Sequence, residues 1–258
     1  GGPGGGDARG IWDPRGALRL LSSVAFVGLA WQALSWALHL PALPGPAETL
    51  VSLVAELKGE LGLHVAASAY RVVASIAGAV ALALPLGLAM GRVPALDRFA
   101  SPLVYLIYPI PKIVFLPVVL ALMGAGDSSK LFLIGLIVFF QIVVTTRDAV
   151  RSISPELILS VESLGAGGAD LYRHVLLPAA LPKVFTALRI ALGTAIAVLF
   201  IAETFVTRWG LGYFLIDAWS RYDFPAMYAG IVAMALMGLG FYLLLDWGER
   251  KACPWEHL

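Results

Sequence analysis

The chain has little charge and almost no sulfur chemistry. Lysine, arginine, aspartate and glutamate supply only 14% of its 258 residues, against roughly a quarter in a soluble domain. One cysteine, Cys253, excludes an intrachain disulfide, and four scattered histidines, His39, His64, His174 and His257, offer no metal-ligand spacing. A net charge of +1 leaves no footprint for nucleic acid. No catalytic constellation stands out. The stretch GAGDSSK (Gly124 to Lys130) resembles a phosphate-binding loop only superficially, because Ser129 stands where a glycine is needed and Leu131 where a hydroxyl is needed.

What the chain has in abundance is apolar surface. Hydrophobic residues make up 59% and the mean hydropathy is +0.85, so at about 20 residues per bilayer crossing the expectation is one all-α polytopic membrane domain with about six spans. The glycine-rich opening carries no fold information, and residues 1–17 are expected to form a flexible cytoplasmic tail. The membrane domain then covers 18–247 and a second cytoplasmic tail covers 248–258.

The first span is expected over Leu18 to Leu40, with Arg9, Arg15 and Arg19 before it; a cleaved signal is the alternative. From Thr49 to Leu61, Leu50, Leu53, Val54, Leu57 and Leu61 recur at helical spacing, with Glu56, Lys58 and Glu60 off the stripe. That predicts a helix lying on the outer membrane surface. Further spans are expected at about Val65 to Met90, Pro102 to Met123, Leu131 to Thr146, Val184 to Ala202 and Ala226 to Leu245. Pro109, Pro111 and Pro117 predict a kink in the third. Gly87 and Gly91 form a G-x-x-x-G pair suited to helix packing within the subunit. With both termini inside, eleven lysines and arginines fall on the cytoplasmic side and five outside, among them Arg71 and Lys130; this follows the positive-inside rule.

The connection from Arg147 to Lys183 is far longer than the few residues that join most helices. It reads as helix, glycine break, helix: Pro155 starts the first, Leu157, Val161 and Leu164 form its stripe, Gly165 to Gly168 break it, and Pro178 and Pro182 stop the second. An amphipathic unit outside the bilayer suits docking into a groove on a soluble partner.

This segment resembles the cytoplasmic loop of type I ATP-binding-cassette (ABC) importer permeases, EAA-x3-G-x9-I-x-L-P. Gly165, Val175, Leu177 and Pro178 fall at the family positions, while Leu159, Ser160 and Val161 replace Glu-Ala-Ala. YPIPKIVFLPVVLALMGAGDSSK, SLGAGGADLYRHVLLPAALP, LRIALGTA and Ala202 to Leu215 are similar to the branch that includes permeases for taurine, aliphatic sulfonates, nitrate and bicarbonate. The resemblance implies a permease of the bacterial inner membrane that is itself no enzyme and binds no cofactor. It pairs with a second permease copy, two cytoplasmic ATPase subunits that hold ATP and magnesium, and a periplasmic substrate-binding protein.

It also implies that Ser160, Val161, Ser163, Leu164, Gly165, Ala166 and Asp170 contact the ATPase. Polar groups within the apolar spans, Gln141, Thr145, Arg189, Thr194 and Glu203, are candidates for the path. Arg189 also suits snorkelling to the interface, and Glu203 an interfacial role. Arg208, Asp217, Arg221 and Asp223, before the last span, are candidates for docking the binding protein, or belong to a re-entrant or surface helix. A stand-alone secondary transporter is the rival from another class, but residues 18–123 and 131–245 show no internal repeat. A membrane scaffold would keep the docking loop and need no polar path.

Overall fold

The computed structural model describes residues 14–165, 167–205 and 207–257, so the glycine-rich opening lies outside the described residues. The described chain is all helical. The order is α1 (Pro14–Leu38), α2 (Pro46–Lys58), α3 (Leu61–Arg92), α4 (Pro94–Ile107), a 3₁₀ turn (Lys112–Phe115), α5 (Leu116–Met123) and α6 (Asp127–Arg151). There follow α7 (Pro155–Ser163), α8 (Gly168–Leu171), a π turn (Tyr172–Leu176), α9 (Leu177–Glu203), α10 (Leu211–Ser220), α11 (Phe224–Ala252) and a 3₁₀ turn (Pro254–His257).

Five helical stretches are long and apolar enough to cross a membrane: those beginning at Leu21, Leu61, Asp127, Gly168 and Phe224. A sixth crossing is made if α4 and the Lys112–Met123 stretch, bent by 81°, count as one. The expected kink is thus a full break: Pro109 and Pro111 flank residues that leave the helix, because proline donates no N–H.

The core is α3 along α6, with α9 packed on α6 and also touching α3. Small residues permit the close approach. A Cβ on Gly87 would lie 2.6 Å from the Thr146 Cβ, and one on Gly91 2.5 Å from the Val150 Cβ, so the G-x-x-x-G pair packs helices within this subunit. α11 closes the other flank against α9 and α10, and α2 lies on α11. The stripe expected on α2 is divided. Leu53 and Leu61 turn inward with Thr49, whereas Leu50, Val54 and Leu57 are exposed beside Val51; packing on α11 overrides the pattern read from α2 alone.

Two further expectations are corrected. Pro178 and Pro182 do not stop a short helix: Gly168–Glu203 is continuous over 36 residues. The Leu177 N–H donates to the Tyr172 carbonyl, a wider π turn that places Pro178 in the first turn of α9, where its missing donor costs least. Lys130 is not a loop charge either, being 1% exposed, and Arg71, within α3, is 5% exposed.

The length of α3, 32 residues, and of Gly168–Glu203, 36 residues, corresponds to about 48 and 54 Å at 1.5 Å per residue. Both exceed a hydrocarbon layer of about 30 Å. The excess at the end opposite Glu203 holds α7 beyond the bundle. α11 likewise extends past the expected span to Ala252, and Cys253 behind it is buried.

Candidate translocation path and coupling loop

At the loop end of the bundle, Ser154 caps α7, its Oγ accepting from the Leu157 N–H at 3.3 Å, and Pro155 fills the first turn. None of the residues of α7 is buried. Ile158 and Val161 rest half-buried against a small satellite cluster of Leu88, Ala149, Val150, Leu171, Leu176 and Ala180. Leu157, Leu159 and Leu164 stand in the open, Leu164 at 88% exposure. Gly165 closes the helix at φ +87° with open space where a Cβ would be. One ion pair, Arg92 to Glu162 at 2.5 Å, ties α7 to the end of α3.

Of the expected contact residues, Ser160 and Ser163 donate their hydroxyls back to the Glu156 and Leu159 carbonyls, each at 2.7 Å. Val161 faces the satellite cluster, Asp170 stands exposed in the first turn of α8, and Ala166 lies outside the described residues. The surface on offer is therefore chiefly leucine side chains, in place of the small residues of the family pattern.

At the opposite end, Arg71 organises a buried network. Its Nε and Nη2 donate to Asp127 Oδ1 at 2.9 and 2.7 Å; its Nη1 donates to Glu203 Oε1 at 2.5 Å and to the Trp209 carbonyl at 2.7 Å. Glu203, fully buried, also accepts from Ser68 Oγ at 2.8 Å and from the Gly212 N–H at 2.9 Å. Ser68 Oγ in turn accepts from the Leu211 N–H at 2.8 Å. His64 Nδ1 lies 3.0 Å from the Gly210 amide, and its ring stacks 5.8 Å from that of Tyr213. The network joins α3, α6, α9 and the start of α10. Lys130, beside it in sequence, donates to the Ala125 and Gly126 carbonyls at 3.1 and 3.3 Å; the lysine of the GAGDSSK turn stabilises its own turn.

Two more arginines clip helices together. Arg147 forks onto Asp97, at 2.5 Å from Nε and 2.9 Å from Nη2, and joins α6 to α4, with Arg151 on the same carboxylate at 2.5 Å. Arg189 of α9 is ion-paired with Glu249 of α11 and lies 3.9 Å from Asp246.

Between the ends, the break after α4 opens a cavity of about 340 Å³ lined by Tyr108, Pro109, Ile110, Pro111, Lys112, Ile113, Ile137, Phe140, Gln141, Thr194 and Val198. Gln141 also borders a second cavity of about 360 Å³, with Thr145, Lys183, Thr186 and Glu249. The path candidates therefore divide. Gln141 shares one space with Thr194 and the next with Thr145, whereas Arg189 and Glu203 are held in ion pairs and line neither space. Arg189 borders instead an apolar groove of about 640 Å³ between α9 and α11.

Among the docking candidates, Arg208 is exposed, Arg221 pairs with Asp217 at 3.0 Å on α10, and Asp223 caps α11 by accepting from the Ala226 N–H at 3.1 Å. Sequence reasoning missed Arg71, Asp97, Asp127 and Lys112. A charge inside an apolar helix is itself the available signal, since it is retained only when paired or when it faces a polar space.

The family model described as "Binding-protein-dependent transport system inner membrane component" matches residues 79–252, which include the broken span, the α7 loop and two of the three arginine clips, those of Arg147 and Arg189. The chain belongs to this family. The permease is 33% identical over 240 residues to a probable ABC transporter permease protein of Brucella abortus, covering 93% of this chain and 95% of that one. It is 32% identical over 221 residues to the taurine transport system permease protein TauC of Escherichia coli, covering 83% and 80%. Among solved structures, a chain of the MetNI methionine ABC transporter superposes with a TM-score of 0.62 at 22% identity, covering 76% of this permease and 97% of that chain. The fold is that of a type I importer permease, and the protein is a multi-pass component of the inner membrane.

Proposed function

We propose that this permease is the membrane subunit of an ATP-driven importer for a small oxyanion, such as taurine, another aliphatic sulfonate, nitrate or bicarbonate, and works by alternating access. The observation that carries the reading is α7: a helix with no buried residue, two exposed leucines and a third, Leu164, at its glycine-closed end, held beyond the bundle by α6 and α9. A helix of that kind gains by seating in a groove of a soluble partner, here one of two cytoplasmic ATPase subunits. Seated, it transmits both push and pull to α6 and α9, whose relative movement re-aims the cavities beside Gln141.

In this reading Ser160, Val161, Ser163, Leu164, Gly165, Ala166 and Asp170 belong to the coupling surface, joined by Leu157 and Leu159. Gln141, Thr145 and Thr194 line the path. Arg208, Asp217 and Arg221 meet the binding protein on the periplasmic side, Asp223 holding α11 beneath them. A second copy of the permease completes the path, both termini lie in the cytoplasm, and ATP hydrolysis resides in the separate subunits. The taurine permease relative supports the choice of substrate class.

The test is reconstitution in nanodiscs with the partner ATPase and binding protein. ATP hydrolysis is measured with and without taurine, an alkanesulfonate and nitrate, for the native permease and for Gly165→Trp. Stimulation by one anion, lost in the variant although it still inserts, is the expected result. If no ATPase associates and turnover ignores the loop change, the reading is wrong.

A further inference from the structure

The three arginines that hold the helices together each meet carboxylates: Arg71 with Glu203 and Asp127, Arg147 with Asp97, Arg189 with Glu249. Lys112 does not. It is 9% exposed, it lines the cavity at the break between α4 and α5, and among the described residues no carboxylate lies within ion-pair distance of it. Its ammonium donates to the Ile107 carbonyl at 3.0 Å and to the Tyr108 carbonyl. The rings of Tyr108 and Phe140 each lie 5.3 Å from the nitrogen.

Carbonyl dipoles and aromatic faces favour the charged ammonium, but neither cancels a full positive charge. An ammonium carries three N–H donors, and two are accounted for. Gln141 and Thr194, on the same cavity, make no hydrogen bond to any described group, so an amide and a hydroxyl are also uncommitted there. At about 340 Å³ the space falls within the range of roughly 300–1,000 Å³ typical of small-molecule sites.

We propose that Lys112, Gln141 and Thr194 form an anion subsite in the wall of the translocation path, specific for a small singly charged oxyanion such as a sulfonate. The anion supplies the counter-charge that the protein withholds, and the amide and hydroxyl donate to its remaining oxygens. A cation or a neutral solute leaves Lys112 uncompensated, so the subsite selects by charge as the solute passes. This inference rests on the importer reading for its biological setting, and its test does not.

The test is equilibrium binding of radiolabelled methanesulfonate to the permease alone in nanodiscs, without binding protein, ATPase or nucleotide. The native permease is expected to bind saturably, with unlabelled ethanesulfonate competing and ethanolamine not. Lys112→Met is expected to weaken binding at least tenfold and Lys112→Arg less than threefold, with Gln141→Leu and Thr194→Val each weakening it severalfold. If removing the lysine's bonds to the α4 carbonyls prevents Lys112→Met from folding, the Gln141 and Thr194 variants, which make none of those bonds, decide. Unchanged binding in these variants, equal competition by ethanolamine, or no anion binding at all overturns the subsite. Anion transport by the assembled complex without binding here would leave the importer reading standing and the subsite refuted. Lysine-dependent binding with no associating ATPase would do the reverse.

Discussion

The permease contains a positive-φ glycine at each end, and their surroundings are opposite. Gly210, at φ +148°, is wrapped so tightly over the Arg71 network that a Cβ would come 2.4 Å from the Glu203 carboxyl carbon. Gly165, at φ +87°, has nothing within 4 Å. The same contrast runs through the charges: Arg71 and Glu203 are 6% and 0% exposed as side chains, whereas Arg92 and Glu162, the pair that tethers α7, are 38% and 39% exposed. One end is a fixed joint among four helices. The other is a helix attached through a satellite cluster and one solvent-facing ion pair, an attachment that fits the coupling role proposed for it.

Removing the buried arginine tests this contrast most severely. Arg71→Met leaves Glu203 charged and unpaired, and breaking such a pair costs about 3–5 kcal/mol; the expected outcome is a large fall in the thermal unfolding midpoint, or loss of monodisperse protein. Glu203→Gln is expected to fall short of that, because the amide keeps an acceptor for Ser68 or Arg71. Equal midpoints for Arg71→Met and the native permease would mean that the joint is not fixed.

The two glycines sharpen the comparison. Gly210→Ala combines a positive φ with a steric overlap, and overpacking alone costs about 1–3 kcal/mol. Gly165→Ala meets only the backbone penalty of about 1–2 kcal/mol. Unfolding midpoints should rank native, Gly165→Ala, Gly210→Ala in descending order. Arg92→Ala should change stability least, by about 1 kcal/mol or less for an exposed pair, and its loss should vanish at high salt. A change as large as that of Gly210→Ala would place α7 in the rigid body.

What could be read from the sequence was local. Span number follows from apolar run length, the bent third span from Pro109 and Pro111, and the loop from a spacing contained within Leu159 to Pro178. The Arg71 network was hidden because Arg71 and Glu203 are 132 residues apart in the chain, and each sits near a span end where an exposed charge is unremarkable. The division of the α2 stripe depends on α11, which the sequence of α2 does not contain. Pro178 and Pro182 read as stops because proline ends most helices, and only the π turn before them shows how the helix starts there and continues. Lys112 does not stand out in the sequence because a single lysine between Pro111 and Pro117 carries no periodicity.

The central claim is that α7 is the element a cytoplasmic ATPase grips while the Arg71 end stays fixed. Hydrogen–deuterium exchange on the permease in nanodiscs, with and without the ATPase subunit, tests it directly. The account predicts protection of amides over residues 155–165 on adding the ATPase, with exchange around Arg71, Glu203 and Gly210 slow in both states. Unchanged exchange at α7, or protection appearing instead at the Arg71 end, would contradict it.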